Sequence, residues 1–319
     1  MSFSDKQLVF GGAPPGSPWG TMGAVVARAL EPLGYSVRIE TEASMGRCPG
    51  LVQAGTLEFG ANQTMTTRWA HLGIKSYAQS GAMPRLRTLA TIMMPAWIGI
   101  AARWENGITD LAQIRERQYP VRVLGGGREV FQQIWAHYGL SRELIESWGG
   151  VFLESPRRAP GSGWAMAPWV RTGEFDIIMD PLYAANTIEA CYWHEASVLY
   201  NLRFLELPEE LVTRMCADLG AGAYPGSIPF RLVRGVDRPI RTIYRPLQGF
   251  LARDDMPDEF AYLFARALDD GRALLRQTHI PFSYDERTVA MDVGVALHPG
   301  AERYYREMGY PISTPTPAV

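Results

Sequence analysis

The sequence predicts an α/β protein with two lobes, each a sheet flanked by helices. Short apolar segments alternate with stretches of helical period at the start of the chain, and the same strand–turn–helix order restarts in YPVRVLGGGREVFQQIWAHYGL. No internal repeat, low-complexity block or flexible linker divides the chain. Two α/β lobes without a linker are expected to be joined by crossing strands rather than to form separate beads.

The first lobe begins with a strand, QLVFGG, that ends in glycines and leads through a loop into an amphipathic helix carrying Val25, Val26 and Leu30. YSVRIETEA alternates apolar and polar residues, which predicts a second strand. RCPGLVQAGTLEFGANQ then predicts a helix, a turn at Gly55 and a short strand.

Two strand-like runs each contain a proline, Pro95 in LRTLATIMMPAWIGIAAR and Pro246 in IRTIYRPLQGFLAR. Because proline cannot donate to a sheet ladder, we expect the first run to form two strands or one that changes sheet, and the second to be interrupted in the same way. DMPDEFAYLFARALDDGRALLRQ predicts one amphipathic helix, with Pro257 and acidic residues in its first turn.

Composition is ordinary for a soluble protein of 319 residues, 47% hydrophobic and 20% charged. The net charge of −2, from 31 basic and 33 acidic residues, gives no support to a nucleic-acid surface. Cys48, Cys191 and Cys216 are widely separated and form no CxxC pair, which favours free thiols over a disulfide framework or a zinc site.

Two glycine-containing loops are candidates for ligand binding. In GGAPPGSPWG and the residues that follow it, Ser17 and Thr21 can present hydrogen-bond donors to an anion and Trp19 can flank an apolar group, so we favour a binding role over a structural loop. VLGGGREVF also joins a strand to a helix, but Val130 stands where a dinucleotide fingerprint needs its third glycine. This second loop is either a ligand loop or a tight turn.

No catalytic constellation is visible. The five histidines are scattered singly, no serine lies in a GxSxG motif, and no triad, metal cage or pair of carboxylates can be assembled from the sequence. We therefore predict a protein that is not an enzyme and needs no cofactor.

Several segments together resemble one family. GSPWGTMG (16–23), ASMGR (43–47), LVQAGTLEFGANQTM (51–65), RTGEFDIIM, RGVDRPIRTI and the closing LHPGAERYYREMG are similar to segments, in the same order, of the solute receptors of TRAP transporters, in the TAXI group. These matches span most of the chain. The closing segment is the most specific of them, and it is expected to form a helix that packs the chain end onto the first lobe.

The resemblance implies a two-lobed, periplasmic-binding-protein-like clamshell of type II, each lobe a mixed sheet flanked by helices. The implied first lobe is 1–96 with 250–319 and the second is 97–249, with hinge strands near 96–100 and 243–250. The implied function is to capture a small organic acid or amino-acid-like ligand in the cleft between the lobes and deliver it to the membrane subunits of a TRAP transporter.

The chain departs from the family at the predicted binding loops. Met22 and Gly23 replace an aromatic pair, and Met45 and Arg47 replace small residues, so the pocket has been rebuilt. Arg47 is either a clamp for a carboxylate or a solvated loop arginine. The residues implied to bind ligand are Ser17, Trp19, Thr21, Ser44, Met45, Arg47, Gln63, Thr64, Gly126, Arg128 and Tyr183.

The compartment depends on what precedes the chain in the cell. MSFSDKQLVF lacks the basic and apolar regions of a signal peptide, so we expect a periplasmic protein if a leader has been removed and a cytoplasmic one otherwise. The alternative function is a cytoplasmic small-molecule-binding protein or enzyme on the same clamshell. A nicotinamide oxidoreductase is the hypothesis with the least support, because the glycine fingerprint is incomplete.

Overall fold

The computed structural model describes Phe3 and residues 7–12, 17–41, 46–153, 168–184, 191–278, 280 and 283–312. The helices are α1 (Pro18–Leu30), α2 (Cys48–Gln53), α3 (Thr64–Leu72), α4 (Ala112–Glu116), α5 (Glu129–His137), α6 (Arg142–Ser147), α7 (168–172), α8 (Cys191–Leu199), α9 (Glu209–Leu219), α10 (Asp258–Asp270), α11 (Arg272–Arg276) and α12 (Pro299–Glu307). The strands are β1 (Gln7–Gly11), β2 (Ser36–Ile39), β3 (Phe59–Gln63), β4 (Leu86–Met93), β5 (Ala96–Arg103), β6 (Arg122–Gly125), β7 (Val151–Leu153), β8 (Ile177–Tyr183), β9 (Leu202–Phe204), β10 (Tyr224–Ile228), β11 (Ile240–Tyr244) and β12 (Leu247–Arg253).

The chain forms two compact units. Unit 1 consists of Met1–Met94 and Pro246–Val319, and unit 2 of Pro95–Arg245. The chain passes from one to the other at Pro95 and at Pro246, and each proline separates two strands, β4 from β5 and β11 from β12. The prediction that both prolines interrupt their strand-like runs is therefore confirmed. Hinge motion at these positions stays a prediction.

Unit 1 is built on a mixed sheet of five strands in the order β2-β1-β3-β12-β4. β1 runs parallel to β2 and β3, whereas β12 runs antiparallel to both β3 and β4. The buried face carries Phe10, Phe59 and Phe250. Phe59 and Phe250 pack against Phe264 of α10 with ring centroids 5.5 Å apart, and Phe10 packs against both of them at 5.3 and 5.9 Å. These aromatic side chains remove a large apolar area from water and hold α10 on the sheet.

The single helix predicted over DMPDEFAYLFARALDDGRALLRQ is wrong in one respect. It is divided at Gly271 into α10 and α11. A Cβ at Gly271 would lie 2.9 Å from the carbonyl oxygen of Ala267 and 3.2 Å from the Cβ of Ala29 in α1. The glycine thus permits a close approach of α1, which depends on tertiary packing and is not visible in the periodicity of this segment.

The closing helix α12 is held inside unit 1. His298 caps its first turn by accepting from the backbone N–H of Gly300 at 3.3 Å, and the hydroxyl of Tyr305 donates to the carbonyl of Leu89 in β4 at 3.0 Å. The hydroxyl of Tyr304 donates to the buried carboxylate of Asp269 at 2.7 Å. These bonds explain the adjacent tyrosines of the closing segment, and they confirm that it packs on the first lobe.

Unit 2 is built on a seven-stranded mixed sheet. Six strands follow the order β10-β11-β5-β8-β6-β7, and β9 pairs with β5. β6 runs parallel to β7 and β8, and the other pairings are antiparallel. The core of this unit is apolar and aromatic, with Trp97, Phe175 and Trp193 buried within it.

Both units therefore combine a mixed sheet with flanking helices, which confirms the predicted class of fold for each of them. Where the structure describes the chain, its helices are all too short or too polar to span a lipid bilayer. Cys48, Cys191 and Cys216 each carry a thiol and are not joined in a disulfide.

Candidate functional site

The candidate site of unit 1 lies at one edge of its sheet. Because β1 and β3 are parallel and β12 is antiparallel to β3 and β4, the carboxyl ends of β1, β3 and β4 meet the start of β12 at the same edge. Gln248 of β12 stands opposite Gln63 of β3, and Leu247 stands opposite Met93 of β4. We call this the unit 1 edge; strand ends of this kind are where α/β proteins place ligands.

Three residues of the first predicted loop and of the residues that follow it lie at the start of α1. Ser17 is fully buried, and its hydroxyl accepts from the backbone N–H of Gly20 at 3.0 Å, so it is the N-cap of the helix. Trp19 is 2% exposed, and nothing in the described ranges accepts a hydrogen bond from its indole Nε1. Thr21 is half-buried on the same helix.

Gln63 and Thr64 form the junction between β3 and α3. The hydroxyl of Thr64 donates to the carbonyl of Leu247 at 3.2 Å, which ties the start of α3 to β12. The side-chain oxygen of Asn62 accepts from the backbone N–H of Gln63 at 2.9 Å and from the hydroxyl of Thr66 at 3.1 Å. Asn62 therefore holds the backbone of Gln63 and the first turn of α3 together.

Two further polar residues lie at the unit 1 edge and were missed by the sequence interpretation. Gln248 is 2% exposed and Thr91 is fully buried. Within the described residues, no group forms a hydrogen bond to Oε1 of Gln248 or to Oγ1 of Thr91. Buried polar atoms in native proteins are usually hydrogen-bonded. These two oxygens are therefore candidates for a hydrogen bond to a bound water or ligand.

In unit 2 the predicted glycine turn connects β6 to α5. Gly125 and Gly126 have φ angles of +83° and +82°, a conformation that favours glycine. The N–H of Gly126 donates to the carbonyl of Met179 in β8 at 2.9 Å, and the indole of Trp135 donates to the carbonyl of Gly126 at 3.3 Å. The turn is thus fixed from both sides and delivers Arg128 to the start of α5.

Arg128 belongs to a cluster of charged and phenolic groups. It is the N-cap residue of α5, and its guanidinium lies 3.3 Å from the carboxylate of Asp180 in β8. The hydroxyl of Tyr192 in α8 donates to the same carboxylate. Burial, followed by the negative charge of Asp180, raises the pKa of Tyr192 well above its usual value, so this hydroxyl stays a donor at neutral pH.

Tyr183, the last residue of β8, and Arg245, which directly follows β11, complete this cluster. Arg245 is 7% exposed and Tyr183 is 8% exposed. Burial lowers the pKa of Arg245, although the charge of Asp180 and the hydroxyl of Tyr183 act in the opposite direction. An arginine keeps its charge even so. Unit 2 therefore brings the predicted Gly126, Arg128 and Tyr183 together with two residues that were not predicted, Asp180 and Arg245.

A cavity of about 280 Å³ adjoins the glycine turn of unit 2. Trp135 and Phe152 form its apolar wall, and Gln132, Arg142 and Glu143 line it with polar groups. The guanidinium of Arg142 stacks over the ring of Phe152 at 5.0 Å.

The remaining predicted residues belong to the loop before α2. Arg47 is exposed and immediately precedes α2, whereas Ser44 and Met45 lie outside the described residues. Of the residues that the structure describes, no three His, Cys, Asp or Glu side chains are grouped so that they could hold a metal ion.

The missed residues had partial signals in the sequence. Asp180 and Arg245 are charged residues that each directly precede a proline, Asp180 inside the otherwise apolar strand β8 and Arg245 directly after β11, in FDIIMDP and TIYRP. A buried charge is costly unless it is paired or functional, so such positions are candidates for a site. Gln248 carries no comparable signal, because a polar residue at this place in a strand such as QGFLAR is equally expected when its side chain faces solvent.

Comparison with known proteins gives one family match and several solved structures of related fold. The model of the NMT1-like family matches residues 194–309, roughly a third of the chain. MatC from Rhodopseudomonas palustris, solved with bound malate, is 13% identical, with a TM-score of 0.50 over 95% of this chain and 97% of that one. A periplasmic transporter is also 13% identical, with a TM-score of 0.48 over 97% of this chain and 94% of that one. The periplasmic binding protein BugD is 12% identical, with a TM-score of 0.47 over 94% of both chains. The likeness to MatC shows the fold, and the chain has the mixed α/β, two-lobed fold class of periplasmic binding proteins, as predicted.

Proposed function

We propose that this protein is a solute-binding receptor that captures a small organic acid or an amino-acid-like ligand and delivers it to a TRAP-type membrane transporter. The observation that carries the proposal is the cluster in unit 2, where Arg128 and Arg245 lie at strand and helix ends beside a glycine turn. Such cations are the groups that recognise a carboxylate, and Arg can do so with two parallel hydrogen bonds.

The local geometry favours an anion over a neutral ligand. Arg128 stands at the N-terminus of α5, a nine-residue helix whose dipole adds positive potential at the same place. Asp180 orients the Arg128 guanidinium at 3.3 Å, and the hydroxyl of Tyr192 donates a hydrogen bond to the same carboxylate. A guanidinium held in this way loses little side-chain entropy when a ligand binds.

Two comparisons support this class of function. The NMT1-like match, residues 194–309, includes Arg245 and Gln248. MatC, which shares the fold, was solved with malate bound, and a small acid of this kind is the first ligand class to test.

Calorimetric titration of the purified chain with hydroxy acids, keto acids, dicarboxylates and amino acids tests the proposal. We expect saturable binding of at least one of these acids, weakened about tenfold or more by Arg128→Gln, because hydrogen bonds to a charged group are worth about 1.5–3 kcal/mol. Arg171→Gln is the matched control, since Arg171 is an exposed arginine of the same unit that pairs with Glu195. Binding that both variants weaken equally, or no binding of any acid, would refute the proposed role of the cluster.

Delivery and compartment are separate parts of the proposal. Transfer to a TRAP-type transporter predicts that the ligand-loaded protein stimulates uptake by the membrane subunits in proteoliposomes, and an unstimulated rate would contradict it.

Periplasmic residence, through a leader removed on export, predicts release of the native protein by osmotic shock. Retention with the cytoplasmic fraction would instead support the cytoplasmic alternative.

A further inference from the structure

Asp180 belongs to the cluster of unit 2 that is proposed to bind a carboxylate, yet it carries a negative charge itself. It lies in β8, and its carboxylate is 3.3 Å from the guanidinium of Arg128. Burial lowers the pKa of Arg245 while the charge of Asp180 raises it, which places this second cation near the same carboxylate. A ligand carboxylate that binds to Arg128 therefore comes to lie beside another negative charge, and the two repel each other.

The carboxylate of Asp180 can accept further hydrogen bonds. A carboxylate offers about four acceptor positions. Among the described residues, the side chain of Asp180 contacts the guanidinium of Arg128 through Oδ1 and the hydroxyl of Tyr192 through Oδ2. The side chain of Asp180 is 17% exposed and that of Arg128 is 35% exposed, so both groups are accessible to a dissolved molecule. A ligand that contacts Arg128 can therefore contact Asp180 as well.

The charge of Asp180 favours binding only when the ligand brings a positive charge of its own. An asparagine at this position would also accept hydrogen bonds from Arg128 and Tyr192, and it would not repel a bound carboxylate. In an α-amino acid the ammonium and the carboxylate are attached to the same carbon atom, so they are only a few ångström apart. The guanidinium and carboxylate of the Arg128–Asp180 pair, 3.3 Å apart, present the complementary charges at a similar spacing.

We infer that Asp180 determines ligand specificity by binding an ammonium group, and that the ligand is therefore a zwitterion whose carboxylate is held by Arg128. Both residues belong to unit 2. The inference rests on the proposed function and narrows its ligand class to amino acids. Hydroxy, keto and unsubstituted acids of the same skeleton bring a negative charge beside Asp180 without an ammonium to compensate for it, so they bind less tightly.

The test compares acids that share a carbon skeleton, by calorimetric titration of the full chain at neutral pH. Suitable sets are alanine, lactate, pyruvate and propionate; glutamate, 2-hydroxyglutarate, 2-oxoglutarate and glutarate; and phenylalanine, phenyllactate, phenylpyruvate and 3-phenylpropionate. In the native protein, the amino acid of the set that binds is expected to bind about tenfold or more tightly than the other three members, the effect of one hydrogen bond to a charged group.

Asp180→Asn removes the charge and keeps an acceptor for the hydroxyl of Tyr192. This variant is expected to bind the amino acid about tenfold or more weakly, while it binds the unsubstituted acid at least as tightly as the native protein does. These opposite directions distinguish a contact with the ligand from a general loss of structure, which would weaken both. Asp237→Asn is the matched control, because Asp237 is an exposed aspartate of the same unit, and it is expected to keep the native preference. Circular dichroism verifies that both variants are folded.

The outcomes separate the inference from the proposed function. If acids bind but the native protein does not prefer the amino acid, Asp180 serves only to orient Arg128 and the inference is overturned, whatever the variants do. This comparison needs no variant, so it can overturn the inference even if Asp180→Asn does not fold. If the preference survives in Asp180→Asn, another residue produces it and the inference is likewise overturned. If no acid of any set binds, the proposed function fails first, and the inference fails with it.

Discussion

Replacing Asp269 with alanine is expected to destabilise unit 1 severely. Asp269 lies near the end of α10 and its side chain is 4% exposed. Its carboxylate accepts hydrogen bonds from the hydroxyls of Tyr304 at 2.7 Å and Tyr310 at 2.9 Å, and from the guanidinium of Arg272 at 2.7 Å. One side chain therefore links α10 to α11, to α12 and to Tyr310 in the segment after that helix.

The expected loss of unfolding free energy is about 3 kcal/mol. Each hydrogen bond to an ionised acceptor contributes roughly 1.5–3 kcal/mol, but the losses do not add when three bonds share one acceptor. The side chain of Arg272 is 41% exposed, so its guanidinium can form hydrogen bonds to water when Asp269 is removed. Tyr304 is 4% exposed, so its unpaired hydroxyl accounts for most of the cost.

Urea denaturation, followed by the fluorescence of the tyrosines and tryptophans, measures this difference. Asp270→Ala is the control, because Asp270 is the next residue of α10 and is exposed. We expect its unfolding free energy to stay within about 0.5 kcal/mol of the native value. Equal stability of the two variants would refute the argument that the buried carboxylate holds α12 in place.

Two further predictions concern titration and thiol chemistry. Burial, followed by the hydrogen bond to Asp269, raises the pKa of Tyr310 from 10.0 to about 12. Because the folded state favours the protonated phenol, the contribution of Tyr310 to the free energy of unfolding is complete below pH 10 and is lost as the pH rises toward 12. Unfolding of Tyr310→Phe, measured over the same pH range, should lack this loss. Cys48 is fully buried, and burial raises the pKa of its thiol to about 12. A thiol reagent at neutral pH should therefore modify the exposed Cys191 first and Cys48 only on unfolding. Early labelling of Cys48 would contradict the packing described here.

Much of the fold follows from local rules that a sequence displays. Pro95 and Pro246 separate strands because proline has no N–H for a ladder, and the glycines of the β6–α5 turn occupy backbone conformations with positive φ. The division at Gly271 could not be predicted in the same way. It depends on the distance between α10 and the Cβ of Ala29, which only the folded chain sets.

The candidate site was less accessible to sequence reasoning. Gly126, Arg128 and Tyr183 are brought together in unit 2, but the pairing of Arg128 with Asp180 depends on the register of β6 against β8. Gln248 becomes notable only once its burial and its unpaired oxygen are known. Strand register and the accounting of buried hydrogen bonds are global properties, whereas motifs and periodicity are local ones.

The most direct test of the central claim is the affinity of the native protein and of Arg128→Gln for small acids, measured by calorimetry beside the Arg171→Gln control. The account predicts saturable binding of an acid by the native protein and by the control, with affinity about tenfold or more lower in Arg128→Gln. Equal affinities in all three proteins, or no binding of any acid by the native protein, would contradict it.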